Sequence, residues 1–243
     1  MTGRARRGPP LPYRPLAGVV PCGRGWVVGA GRLQGTTLFA QQPEVLGSFE
    51  EVLDYRPSFE ILALGCHVGL HDQRTSRGRT CDREARRLLG WPRNAAILSA
   101  PPRSALRPAD VVDGRRADTA MSGAVKSLLP RIAEVDASMA PYWQRTIFEV
   151  RAELSYFQLN GDVPLRRSKY TARGRAERRA LIETRLPGVD SILDATIPGV
   201  GRHHLLDVAA CLWTARRIAA RAVTRLPEHP EWDDLGLRME ILR

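Results

Sequence analysis

Among residues whose types and spacing could do chemistry, His203, His204 and Asp207 stand out. On a helix the i, i+3 and i+4 positions share one face, and imidazoles beside a carboxylate suit zinc, iron or nickel. Two adjacent histidines at a helix start also serve as caps or as a solvated face, so both readings stay open. His67 and His71 are further imidazoles upstream. A second feature is the basic stretch Arg166, Arg167, Lys169, Arg173, Arg175, Arg178 and Arg179, broken by the single acid Glu177. Such a run is either a phosphate-contacting surface or a solvated helix face. Lys169, Arg173, Arg175, Arg178 and Arg179 are its candidate phosphate ligands. Tyr170 is its one aromatic, too few for a base-stacking platform. The cluster Arg79, Arg83, Arg86, Arg87 and Arg93 contains Asp82 and Glu84, so pairing along a helix absorbs much of it. Cys81, between Arg79 and Arg83, is a reactive thiol in principle if those cations lower its pKa, but no nearby His or Asn supports a cysteine nucleophile.

These residues must be held by a chain of 243 residues, 43% hydrophobic and 26% charged, enough for one sizeable core. The formal net charge is +11, and only Lys126 and Lys169 are lysines. The arginine fork suits phosphate, which makes nucleic acid or another polyanion a natural partner; an arginine-rich codon bias explains the composition equally well. Cys22, Cys66, Cys81 and Cys211 form no C-x-x-C pair, which argues against a disulfide framework and a cysteine-rich zinc site. No apolar run approaches the roughly 20 residues of a membrane span, and no apolar segment follows the basic N-terminus; the expectation is a cytoplasmic protein with no membrane partner.

Residues 1–15, rich in arginine and proline, are expected to form a disordered arm, leaving residues 16–243 as the domain. From Leu16 the runs LAGVV, GWVVGAGRL and TTLFA, separated by glycine-bearing breaks, predict three antiparallel strands. Residues 43–54 predict a short helix. Residues 60–68, apolar without alternation, predict a buried strand. Helices are expected from Thr80 or Asp82 through Leu89, over 122–139 with a kink at Pro130, over 172–185 and over 203–222, with another strand at 146–150. A hairpin sheet followed by alternating strands and helices predicts an α/β domain with a mixed sheet and helices on both faces.

Several blocks, in order, carry a family resemblance: GVVPCGRGWVV at 18–28, LALGCHVGL at 62–70, RTCDREARRLLG at 79–90 and FEVRAELSY at 148–156. SKYTARGRAERRALI at 168–182, HHLLDVAACLWTA at 203–215 and GLRMEI at 236–241 follow. With these blocks the chain resembles the predicted RNase H-like nuclease family, domain of unknown function 429. The resemblance implies a five-stranded mixed sheet, three antiparallel strands then parallel ones. It also implies a two-ion site built from carboxylates on strand ends and one helix. The family pattern reads G-V-D-G, I-D-x-P-x-G-L, E-V-H-P-E and D-D-x-x-D-A. Here Val20 and Gly65 stand at the strand acids, and His67 replaces a proline. Arg151 and Ala152 replace His-Pro, and His203 and His204 replace the paired acids. Glu149, Glu153 and Asp207 survive as candidate catalytic acids, and His203, His204 and Asp207 as a possible metal set.

The leading expectation is therefore a pseudoenzyme on an RNase H-like fold that binds nucleic acid or another polyanion, or acts as a scaffold. The alternatives are a weak phosphodiesterase using Mg2+ or Mn2+ on the surviving acids, and an accessory subunit whose decayed cleft meets a protein partner.

Overall fold

The structure is a computed structural model describing residues 13–35, 37–106 and 121–243. The first two apolar runs form a hairpin, β1 (Arg14–Cys22) with β2 (Gly25–Gln34), in register from Arg14 opposite Leu33 to Cys22 opposite Gly25. β3 (Thr37–Ala40) extends the far edge of β2. β4 (Glu44–Leu46) pairs the other half of β2, Trp26 lying opposite Leu46. On the other side of β1, β5 (Ile61–Leu64) runs parallel, and β6 (Ile147–Glu149) runs parallel to β5. The main path is thus β3-β2-β1-β5-β6, the mixed arrangement expected, but the sheet has six strands rather than five.

The extra strand comes from residues 43–54, expected as one helix. They divide into β4 and a five-residue helix α1 (Phe49–Leu53), with Ser48 as its cap accepting from the Glu51 amide. The cap gives the amide a partner that a continuous helix would have supplied, so the chain turns there. Strand pairing begins at Arg14, so Arg14 and Pro15 belong to the fold and not to an arm; residues 1–12 lie outside the described residues. The strand expected over 60–68 stops at Leu64.

Alternate residues of β1 point to opposite faces. Leu16 and Val20 enter one apolar core, Ala17 and Val19 another, which is why helices cover both sides. One side carries α1 and α3 (Gly123–Ser138), which contains Pro130. The opposite side carries α4 (Ala152–Leu159), α5 (Ala172–Glu183), α6 (Asp190–Leu193) and α7 (Arg202–Ala219). α2 (Thr80–Leu89) packs with a C-terminal hairpin, β7 (Arg225–Trp232) and β8 (Arg238–Leu242), in a third core. Helix α7 lies directly on β1: a Cβ added at Gly18 would sit 2.4 Å from the Leu212 amide nitrogen and the Val208 carbonyl oxygen. This approach, closed to any larger residue, sets the first turns of α7 beside the end of β1.

Helix α4, α6 and the β7–β8 hairpin are elements the sequence did not announce. α4 is buried on nearly all sides, so its sequence has no polar stripe from which to read a helix. β7 contains Pro227 and Pro230 and reads as a loop; it is tolerated because it pairs only with β8.

Candidate functional site

The ends of β1 and β5 bring Val20 and Gly65 together, and a Cβ at Gly65 would meet Val20 Cγ1 at 2.9 Å. Carboxylates at these two positions would face each other. Around them, Arg151 and Glu153 enter from the start of α4, Lys169 and Tyr170 from the loop before α5, and His203, His204 and Asp207 from the first turns of α7. Together they line a cleft of about 420 Å³. The residues matched to the family's acidic positions are therefore neighbours, with one exception. Glu149 does not line the cleft; it lies beneath it, 2% exposed.

Each surviving acid holds a cation. Glu149 takes a two-pronged bond from Arg79 (2.7 and 2.9 Å), one from Arg151 Nη2 (2.6 Å) and one from the Val68 amide (2.7 Å). Arg79, 1% exposed, spends its remaining donors on Asp82 (2.8 and 3.1 Å) and on the Val68 and Gly69 carbonyls. Burial opposes charge on both partners, but their mutual attraction wins. The Arg79 pKa is raised well above its ordinary value, and that of Asp82 is held below the usual carboxylate range. Glu153 is clamped by Arg178 at 2.8 Å on both oxygens, and Arg178 also donates to the Arg167 and Gly174 carbonyls. Asp207 is ion-paired through Oδ2 to Lys169, whose pKa rises because Asp207 outweighs the cost of burial. Asp207 Oδ1 is buried and has no hydrogen-bond partner among the described residues.

The histidines face these cations and stay neutral. Burial, then His203, pushes His204 down to about 4, and its Nδ1 accepts from the Gly201 amide at 3.0 Å. Its role here is a helix cap with its lone pair already engaged. Burial and the nearby Lys169 also lower His203, whose ring lies 4.0 Å from that of His204 and 5.0 Å from that of Tyr170. His67 is buried behind the cleft, its Nε2 3.1 Å from the Leu98 carbonyl. Burial and then Arg151 and Arg79 hold its pKa well below the ordinary value. Cys81 is fully buried, and burial raises its pKa, the reverse of the activation that flanking cations suggested.

The donor set does not fit a divalent cation. A hard ion needs several free carboxylate or carbonyl oxygens. Among the described residues, the oxygens of Glu149, Glu153 and Asp207 all accept hydrogen bonds except Asp207 Oδ1. Among the described residues, no group of three or more His, Cys, Asp or Glu is arranged to hold a metal.

The five candidate phosphate ligands separate. Lys169 lines the cleft but is paired with Asp207, and Arg178 is 0% exposed behind Glu153. Arg179 bridges Glu183, Asp190 and Asp194. Arg173 is exposed, Arg175 donates to the Tyr170 carbonyl at 2.9 Å, and neither has a carboxylate partner among the described residues. Sequence reasoning left out Arg79 as a site residue. Its signal was the three-residue spacing to Asp82, which the structure uses as a buried pair; its bond to Glu149, 70 residues away, had no local signature.

The fold and this cleft define a mixed α/β domain with a depression at the ends of its central strands, where each lining acid is held by a cation. Residues 18–232 match the family model described as Protein of unknown function (DUF429), and the chain belongs to that family. No curated protein and no solved structure matches the chain. No helix among the described residues is long and apolar enough to cross a membrane.

Proposed function

We propose that this chain is a non-catalytic RNase H-like domain that binds polyanions, nucleic acid first among them, through surface arginines. The observation that carries the loss of hydrolysis is the pairing of all three surviving acids: Glu149 with Arg79 and Arg151, Glu153 with Arg178, Asp207 with Lys169. A cation held beside each carboxylate supplies the charge that metal ions supply in a two-metal nuclease, without providing a Lewis acid or a bound water. Binding is supported by the formal charge of +11, carried by arginine at all basic positions but Lys126 and Lys169. Recognition is through backbone phosphates and carries no base code.

The test is fluorescence polarisation of a labelled duplex and a labelled single strand over a salt series, with cleavage followed in Mg2+ and in Mn2+. The expected result is salt-steep binding and intact nucleic acid. Absence of binding at low salt removes the polyanion role. Chelator-sensitive cleavage abolished by Asp207→Asn overturns the non-catalytic reading.

A further inference from the structure

Away from the cleft, the last turn of α7 and the chain just past α5 enclose a groove of about 460 Å³. Three arginines line it, Arg185, Arg216 and Arg217, with Trp213 and Gln158, and no carboxylate among the described residues does. This charge balance is the opposite of the cleft's, where every lining acid has a cation. The C-terminal ends of three helices, α4, α5 and α7, meet here, and each contributes about half a negative charge, against three guanidiniums. About one and a half positive charges remain. Neutral groups hold two of the arginines in place: Arg216 donates to the Arg185 carbonyl at 3.2 Å. Arg217 lies 4.9 Å over the Trp213 ring and bonds to Gln158 Oε1 and the Ala222 carbonyl. Arg217 is further crowded by Arg243, whose own partner is Asp162; burial and this neighbour lower its pKa. A groove of like charges, two of them preorganised, gains most from an anion that displaces their counterions.

Resting on the polyanion-binding reading, we infer that the Arg185–Arg216–Arg217 groove is where the phosphodiester backbone of a nucleic acid docks. Arg217 already covers one face of Trp213, so contact is to phosphates and is independent of base identity.

The full chain is titrated against a fluorescein-labelled duplex at several salt concentrations. Wild type is compared with Arg185→Gln/Arg216→Gln, which leaves the Arg217–Trp213 contact intact, and with Arg173→Gln/Arg175→Gln outside the groove. Each lost phosphate contact lowers the slope of log affinity against log salt by about 1, so the groove variant should lose about 2, and roughly ten-fold or more in affinity near 0.1 M salt. The outside variant should change much less. Arg185→Glu, a single change at an exposed side chain, provides the same test should the double variant fail to fold. A groove variant that binds like wild type while the outside variant fails overturns this docking site and leaves the polyanion reading standing. No binding by wild type itself removes both.

Discussion

Replacing Glu149 with glutamine discriminates a structural acid from a metal ligand by the sign of its effect on stability. Glu149 neutralises Arg79 and Arg151 at 2.6–2.9 Å in a site that solvent barely reaches. Glutamine keeps one acceptor, turns an amide NH2 toward guanidinium donors and leaves Asp82 alone against two buried cations. Breaking a buried pair from one side costs about 3–5 kcal/mol. In a domain of this size each kcal/mol moves Tm by roughly 2–4 °C, so the variant should melt about 10 °C below wild type. A carboxylate poised for metal among other unpaired acids behaves oppositely: its removal relieves like-charge repulsion and stabilises the metal-free protein. Thermal denaturation followed by circular dichroism, with chelator and with Mn2+, reads the difference. An unchanged or raised Tm in chelator, with loss of a Mn2+-dependent stabilisation present in wild type, refutes the structural assignment.

Arg178→Met should cost about 3–5 kcal/mol by stranding Glu153, whereas Arg178→Met/Glu153→Leu should recover most of it; chemical denaturation of the two variants checks this non-additivity. The His67 and His204 pKa values are depressed in the fold, so the unfolded chain binds the extra protons first and stability is lost as pH falls from about 6.5 toward 4. For His204 the loss is about 1 kcal/mol after screening of its part-exposed ring, and His204→Gln should flatten the Tm profile over that window by a corresponding amount. Val20→Asp/Gly65→Asp/His204→Asp should bind Mn2+ only weakly in calorimetry, because Lys169 still occupies Asp207; adding Lys169→Gln should tighten binding at least ten-fold.

Much of the architecture was legible because it rests on local signals. The apolar runs of β1 and β2 between glycine-bearing breaks foretold the hairpin, and the expected α2, α3, α5 and α7 lie within a few residues of their observed bounds, although Arg79 and not Thr80 or Asp82 stands at the N-cap of α2. Elements without a local signature escaped: α4, buried on nearly all sides, and β7, whose prolines are acceptable only because of where it pairs. Part of the cleft's lining was legible, and its wiring was not. Val20, Gly65, His204 and Asp207 converge, as the family resemblance implied. The partner of each acid lies far away in sequence: Arg79 is 70 residues from Glu149, Arg178 is 25 from Glu153, and Lys169 is 38 from Asp207. Ion pairs at such separations are decided by the tertiary fold. For the same reason Arg178, which reads as a surface cation, is instead a buried clamp.

The most direct test of the central claim is calorimetric titration of wild-type protein with Mn2+ at neutral pH and low salt. With each surviving carboxylate held by its own cation, no saturable site should appear up to millimolar metal, and Asp207→Asn should give the same trace as wild type. A stoichiometric Mn2+ site in wild type, abolished by Asp207→Asn, would contradict the account.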